Sequence, residues 1–252
     1  MIFVGTHHKS GTMLFAKIFK AIAKELSLNF YAGLQPQLPP ETQIWFNERS
    51  RIQTECFETI GGIHVVRHPL DLICSAYRYH LLGNERWLNI PDTGDRPHLN
   101  GLTYKQKLST FSVRDGVLFE MKHFSSHILG NMYDWDYEDR RFLNVKFEDT
   151  VLDFDGTLSN IFSFVGLDPS ECLPIAQQFD LQRLGQERID AISHVTNKNG
   201  NLSWKDYFVD DEMIDQFRKC FPDDLLSKLG YSKVFCHSIL LYNFFDSSCL
   251  AA

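Results

Sequence analysis

The residues with the clearest chemical potential lie near the amino terminus, in the run Lys9-Ser10-Gly11-Thr12. The apolar residues 2–4 predict a short buried strand before it, and apolar residues at helical spacing follow it. A helix that starts behind a small-residue loop points backbone N–H groups at an anion, and its dipole favours negative charge there. Lys9 adds a full positive charge, and Gly11 permits close approach of the backbone. With the Ser10 and Thr12 hydroxyls as further donors, the run predicts a phosphate-binding loop.

A second candidate anion site lies where a later apolar run ends. Residues 63–66 predict a buried strand that ends at Arg67, and Pro69 suits the first turn of the helix that follows. Ligands of open α/β sheets bind at the carboxyl ends of the strands, where a guanidinium fork pairs well with phosphate. Arg67, with Ser75 inside the following helix, therefore predicts a second phosphate contact.

The two stretches together resemble the cofactor motifs of P-loop sulfotransferases, which use 3′-phosphoadenosine-5′-phosphosulfate (PAPS). The order Lys-Ser-Gly-Thr behind a first strand is similar to the family's 5′-phosphosulfate loop. The 3′-phosphate motif of the family is matched at Arg67, Pro69, Asp71 and Ser75. The resemblance implies a three-layer α/β/α fold with a mostly parallel central sheet, and transfer of a sulfuryl group from PAPS to a hydroxyl or amine.

The resemblance also implies roles for individual residues. Lys9 is expected to stabilise the leaving bridging oxygen, without a metal. The 3′-phosphate is expected to contact Arg67 and Ser75. The 5′-phosphate is expected to lie against the loop residues Lys9, Ser10, Gly11, Thr12 and Met13. A late segment with Lys198 and Gly200 resembles the family's strap over the 3′-phosphate and adenine, although Asn197 stands where arginine is expected.

The general base is not carried by any matching motif. The family's Lys-Thr-His segment is missing, and its nearest counterpart is Gln43-Ile44-Trp45-Phe46-Asn47-Glu48. Glu48 is therefore the first candidate, Glu41 the second, and His8, which adjoins Lys9, the third. In contrast, Glu148 after the third strand is expected to be structural and to hold the cofactor loop by hydrogen bonds.

Several elements must position these motifs. The pattern predicts strands near residues 42–46 and 142–147 in addition to the two above, a loop over 29–40 and a helix over 47–59. Residues 83–101 are rich in Asn, Asp, Gly and Pro, and predict a long mobile loop that is a candidate acceptor lid with Trp87 and His98. Two helices are expected over 103–132, broken near 109–115.

Composition limits the function classes. The chain has 252 residues, a net charge of −7 and 44% hydrophobic residues, which suits a soluble α/β domain over residues 1–231 and argues against a broad nucleic-acid-binding face. No apolar run has membrane-span length, no signal peptide is visible, and six cysteines lack paired spacing, so a cytoplasmic protein is expected. The tail, residues 232–252, is a possible homodimer contact.

Two alternatives remain open from the sequence. A Walker A loop places its lysine directly after the last glycine, whereas Lys9 precedes Gly11, which argues against a P-loop nucleotide kinase or NTPase. A non-catalytic nucleotide-binding relative would keep the phosphate sites without turnover. The acceptor, a small molecule or a carbohydrate, is not specified by any motif.

Overall fold

A computed structural model describes residues 1–184 and 204–232. Lys198 and Gly200, and residues 233–252 of the predicted tail, lie outside the described residues. No helix within the described ranges is long and apolar enough to cross a membrane.

Five strands form one sheet in the described part of the chain, and every neighbouring pair is parallel. The spatial order is β2-β3-β1-β4-β5. The strands are β1 (Ile2–Gly5), β2 (Phe30–Ala32), β3 (Ile44–Asn47), β4 (Gly61–Val66) and β5 (Phe142–Lys146). The central strand β1 lies between β3 and β4, so the loops after β1 and β4 meet at the same edge of the sheet.

Helices cover both faces of this sheet, which confirms the three-layer α/β/α prediction. They are α1 (Thr12–Glu25), α2 (Pro69–Leu82), α3 (Tyr104–Ser109), α4 (Val113–Glu120), α5 (Ser126–Tyr133), α6 (Phe147–Leu152), α7 (Phe154–Phe164), α8 (Pro169–Ala176), α9 (Asp211–Cys220) and α10 (Leu225–Lys228). A π-helical segment, Met121–Ser125, joins α4 to α5.

The two faces of the sheet have separate apolar cores because side chains alternate along each strand. Val4 of β1 packs in the core with residues of α1, α7 and α8. Phe3 points the other way, where it stacks against Trp135 with ring centroids 6.2 Å apart. Val66, at the end of β4, joins the core formed with α2 to α5, α9 and α10. Both motif-bearing strands are thus fixed from two sides.

Two predicted segments differ from the structure. Residues 29–40 contain the edge strand β2, which the sequence did not indicate because its three residues lack full burial. The helix predicted over 47–59 is wrong. Asn47 Oδ1 accepts the backbone N–H groups of Arg49 at 2.9 Å and Arg51 at 3.4 Å, and Ser50 has a φ of 48°, so the side chain stabilises a turn instead.

The predicted long loop after α2 is more packed than its composition suggests. It contains 3₁₀ turns at Arg86–Asn89 and Pro97–Leu99, and Leu88 and Leu99 are fully buried in the core. The predicted break between two later helices is confirmed, since α3 ends at Ser109 and α4 begins at Val113.

Candidate active site

The loop between β1 and α1 is curled by its own side chains. The carbonyl of His7 accepts the Ser10 N–H at 2.9 Å, the Ser10 hydroxyl at 2.8 Å and the Thr12 hydroxyl at 2.7 Å. These two hydroxyls therefore shape the loop, and each has already donated its single proton within it, unlike the phosphate donors that the sequence predicted. The first-turn N–H groups of α1, including that of Met13, have no acceptor within the helix, so they are suited to an anion.

Gly11 is required at the start of α1 for two independent reasons. Its φ is 84°, in the left-handed region that side chains rarely adopt. A Cβ at this position would lie 2.6 Å from the ring of Phe147, the first residue of α6. The end of the β5 strand is thus packed directly against the phosphate-binding loop.

We expect Gly11→Ala to lower the free energy of unfolding by about 2–4 kcal/mol, because left-handed strain and overpacking add. Urea denaturation measures this change. Gly130→Ala is the matched control, since no atom lies within 4 Å of a Cβ built there, and it should be neutral or stabilise α5 by up to about 1 kcal/mol. Equal stability of the two variants would contradict the packing described for Gly11.

Arg67 reaches the same loop from the end of β4. Its Nη1 donates to the Lys9 carbonyl at 2.8 Å, and its guanidinium carbon lies 5.2 Å from the centroid of the Phe147 ring. The buried Nε has no acceptor among the described residues. Such an unpaired donor is costly unless a ligand satisfies it. The structure therefore brings together Lys9 and Arg67, which were predicted separately from the sequence. The Arg67 Nε–H remains available to a ligand.

Lys9 occupies a cationic and partly buried position. Its ammonium lies 3.8 Å from the centroid of the Tyr79 ring, and its backbone has a φ of 68°. Burial, and then the neighbouring charge of Arg67, lower the pKa of Lys9 to about 8, while Glu85 acts in the opposite direction. Burial lowers the pKa of both Lys9 and Arg67, so binding of an anion beside them would stabilise their charged forms.

Tyr79 and Glu85 were not found by sequence reasoning. The Tyr79 hydroxyl and the Trp87 indole N–H both donate to Glu85. Tyr79 follows Ser75 by four residues on α2, so helical spacing was the available signal. Ser75 itself is buried with 4% exposure, and its predicted contact with a 3′-phosphate stays a prediction.

Two carboxylates hold the Arg67 region in place. Glu148 accepts the His68 N–H at 2.9 Å and the Tyr231 hydroxyl at 2.7 Å, in agreement with its expected supporting role. Asp71 accepts the backbone N–H of Trp204 at 2.7 Å. Burial raises the pKa of Asp71 to about 6, an effect that this hydrogen bond opposes.

The candidate bases differ in their surroundings. Glu48 is exposed in the turn after β3, and its carboxylate has no hydrogen bond to a described residue, so its catalytic role stays a prediction. Glu41 precedes β3, at the opposite edge of the sheet from Lys9, which argues against it. His8 lies 3.1 Å from His80 through the Nε2 atoms.

A cavity of about 780 Å³ lies on the side of the sheet covered by α5. Its lining mixes charged and polar side chains with apolar ones, among them Arg49, Asp134, Leu34, Ile52 and Trp135. Ser50 also lines it and donates its hydroxyl to the Thr6 carbonyl at 3.0 Å, three residues before Lys9. The cavity is thus joined to the base of the phosphate-binding loop.

Comparisons with known proteins agree with this geometry. Residues 60–230, which include Arg67 and Ser75, match the family described as the sulfotransferase domain. A comparison with curated proteins gives no match. The mouse sulfotransferase SULT7A1, solved with PAP (adenosine 3′,5′-bisphosphate), is 17% identical with a TM-score of 0.53, and the alignment covers 87% of this chain and 82% of that one. Retinol dehydratase, solved with retinol and PAP, is 16% identical with a TM-score of 0.51, covering 89% and 80%.

Proposed function

Because the chain belongs to the sulfotransferase family and is therefore a transferase that uses PAPS as sulfuryl donor, we propose that Lys9 and Arg67 hold opposite ends of this donor. The loop at Lys9 takes the 5′-phosphosulfate, and Arg67 with Ser75 takes the 3′-phosphate. Lys198 and Gly200 are proposed to complete the 3′-phosphate and adenine contacts.

The observation that carries this assignment is the meeting of two cationic groups at one edge of the sheet. Arg67 Nη1 lies 2.8 Å from the Lys9 carbonyl, and the Arg67 Nε is buried without an acceptor among the described residues. A single nucleotide with phosphates at two positions would satisfy both groups. The 3′-phosphate is what distinguishes PAPS from ATP, and Arg67 is the residue proposed to recognise it.

The acceptor is proposed to be a small molecule with polar groups, of which carbohydrates are one class. The cavity of about 780 Å³ supports this class, since its lining combines arginine and aspartate side chains with the Trp135 ring. Polar and charged groups in a pocket supply the hydrogen bonds that orient a polar ligand. Retinol, the ligand of retinol dehydratase, is a largely apolar alcohol, and it serves as the contrasting acceptor in the test below.

The direct test has two measurements. Calorimetry with PAP measures binding, and transfer of labelled sulfuryl from PAPS to a panel of alcohols, sugars, amines and retinol measures turnover. We expect PAP binding and transfer to at least one hydroxyl or amine. Binding without any transfer would identify a non-catalytic relative, and magnesium-dependent ATP hydrolysis would support a P-loop kinase or NTPase instead.

PAP binding should depend on pH through Lys9. The pKa of Lys9 is about 8 in the free protein, and a bound anion favours the protonated amine, so binding above this pH requires proton uptake. The dissociation constant should be nearly flat from neutral pH to about 8 and then rise by up to about tenfold per pH unit. Calorimetry across this range measures it.

Lys9→Arg is the control for this pH dependence, because a guanidinium keeps its proton throughout the range. Its dissociation constant should stay flat where that of the wild type rises. The same slope in both proteins would assign the titration to another group.

A further inference from the structure

Three side chains behind Lys9 form a continuous hydrogen-bonded chain. Nε2 of His8 lies 3.1 Å from Nε2 of His80, and Nδ1 of His80 lies 2.9 Å from Oε2 of Glu120. His80 and Glu120 are fully buried, whereas His8 is partly exposed. These hydrogen bonds therefore run from the protein interior to His8, which directly precedes Lys9 in the phosphate-binding loop.

Glu120 acts as an acceptor in this chain. Besides His80, the Tyr104 hydroxyl donates to it at 2.9 Å and the Ser125 hydroxyl at 3.2 Å. His80, Tyr104 and Ser125 each carry a hydrogen that can be donated to this carboxylate. In the tautomer in which His80 donates through Nδ1 to Glu120, its Nε2 accepts. His8 consequently donates from its own Nε2 and keeps a lone pair on Nδ1.

The π-helical segment explains how this arrangement is built. Ser125 is the last residue of this segment, and its hydroxyl donates to Glu120, the residue just before the segment. Phe124 of the same segment packs against both histidines, with ring centroids 5.3 Å from His8 and 4.4 Å from His80. The segment therefore supplies both a hydrogen bond and an aromatic wall.

Tyr79 connects this chain to Lys9. Its ring centroid lies 3.8 Å from the Lys9 ammonium and 5.6 Å from the His8 ring. The titratable groups that face His8 are Lys9 on the loop and Tyr79 and His80 on α2, with Glu120 behind them. Burial above all holds the pKa of His8 well below its ordinary value, so the ring is neutral near pH 7.

Resting on the sulfuryl-transfer function above, we propose that His8 is the general base and that His80 and Glu120 are positioning residues that orient it. His8 takes the proton of the acceptor hydroxyl while the oxygen lone pair forms the new O–S bond. The bond from sulfur to the bridging oxygen breaks, and its electron pair stays on the 5′-phosphate of PAP, facing Lys9. The proton leaves His8 for water afterwards, so no further reactant is consumed.

His8→Gln should lower the rate of sulfuryl transfer to 2-naphthol by about 10²–10⁴-fold, the usual effect of a lost base. Transfer to 4-nitrophenol, which is largely ionised at slightly alkaline pH, should fall by less than about tenfold, because little proton removal is needed. PAP affinity should stay within about threefold. If the wild type sulfates neither phenol, release of sulfate from PAPS into water is measured instead, and His8→Gln should slow it at least about tenfold.

Two controls separate this role from alternatives. His127→Gln changes an exposed histidine on α5 and should leave every rate unchanged. Glu48→Gln changes the rival candidate base, and should lower the rate with 2-naphthol far less than His8→Gln does. Equal losses for His8→Gln on both phenols would indicate a structural role, and an unchanged rate, or a base-type loss in Glu48→Gln alone, would overturn the proposal.

Glu120→Gln tests the positioning role. Loss of the carboxylate removes support for positive charge on the histidines, so the acidic limb of the pH–rate profile should move to lower pH while the maximal rate falls. Tyr104→Phe keeps the carboxylate and is the milder variant should Glu120→Gln fold poorly; it should shift the profile in the opposite direction. Unmoved pH–rate profiles in both variants would exclude the positioning role of His80 and Glu120. A wild-type protein that binds no PAP would instead remove the proposed function.

Discussion

Lys9→Ala is expected to lower the rate of sulfuryl transfer by about 10²–10³-fold, the typical cost of losing one preorganised group at a developing charge. Negative charge grows on the bridging oxygen as the bond to sulfur breaks, and the Lys9 ammonium is the charged donor proposed to face it. The effect belongs mainly to the transition state, so PAP affinity should fall less than the rate. Single-turnover transfer from labelled PAPS, together with PAP calorimetry, separates the two quantities.

Lys17→Ala is the matched control for this substitution, because Lys17 is exposed on the following helix α1 and carries the same charge. It should transfer sulfuryl groups at the wild-type rate. Lys9→Arg should recover part of the loss, since the charge remains but its position changes. A Lys9→Ala protein within tenfold of wild type would assign leaving-group stabilisation to another group.

Arg67→Ala is expected to weaken PAP binding by about 30-fold or more, which corresponds to the ~2–5 kcal/mol lost when a buried charge pair is truncated. The binding of adenosine 5′-phosphate, which lacks the 3′-phosphate, should weaken much less. Some loss of affinity for this second nucleotide is still expected, because Arg67 also donates a hydrogen bond to the Lys9 carbonyl. Calorimetry with both nucleotides measures the difference.

Arg140→Ala is the control for Arg67→Ala. This exposed arginine lies just before β5, at the opposite end of the parallel strands from Arg67. It should leave both affinities unchanged. An equal loss of affinity for the two nucleotides in Arg67→Ala would mean that Arg67 supports the loop without recognising the 3′-phosphate.

The sequence predicted the parts of the site that depend on local spacing. A strand, a small-residue loop and a helix place Lys9 at a helix N-terminus, and a strand followed by proline places Arg67 at the same edge. The parallel sheet was expected from the resemblance to the sulfotransferase family, and the alternation of buried strands with helical patterns agrees with it. These features follow from neighbouring residues, so they can be recognised before any contact is known.

Other features depend on contacts between distant residues and had no local signature. The bond from Asp71 to the Trp204 N–H spans 133 residues. His8, His80 and Glu120 meet only because α2 and the π-helical segment pack beside the loop, and Glu120 looks like an ordinary helix glutamate in sequence. The predicted helix after β3 failed for a different reason, since one buried side chain, that of Asn47, captured backbone N–H groups.

The pairing of Lys9 with Arg67 has a consequence for the unliganded protein. Two partly desolvated cations held side by side repel each other, so the empty fold bears an electrostatic penalty that a bound polyanion removes. Donor and product then act as conditional stabilisers: at a hundred times its dissociation constant, either one adds about 2.7 kcal/mol to the free energy of unfolding. The free energy of unfolding should therefore rise and fall with the concentration of these nucleotides.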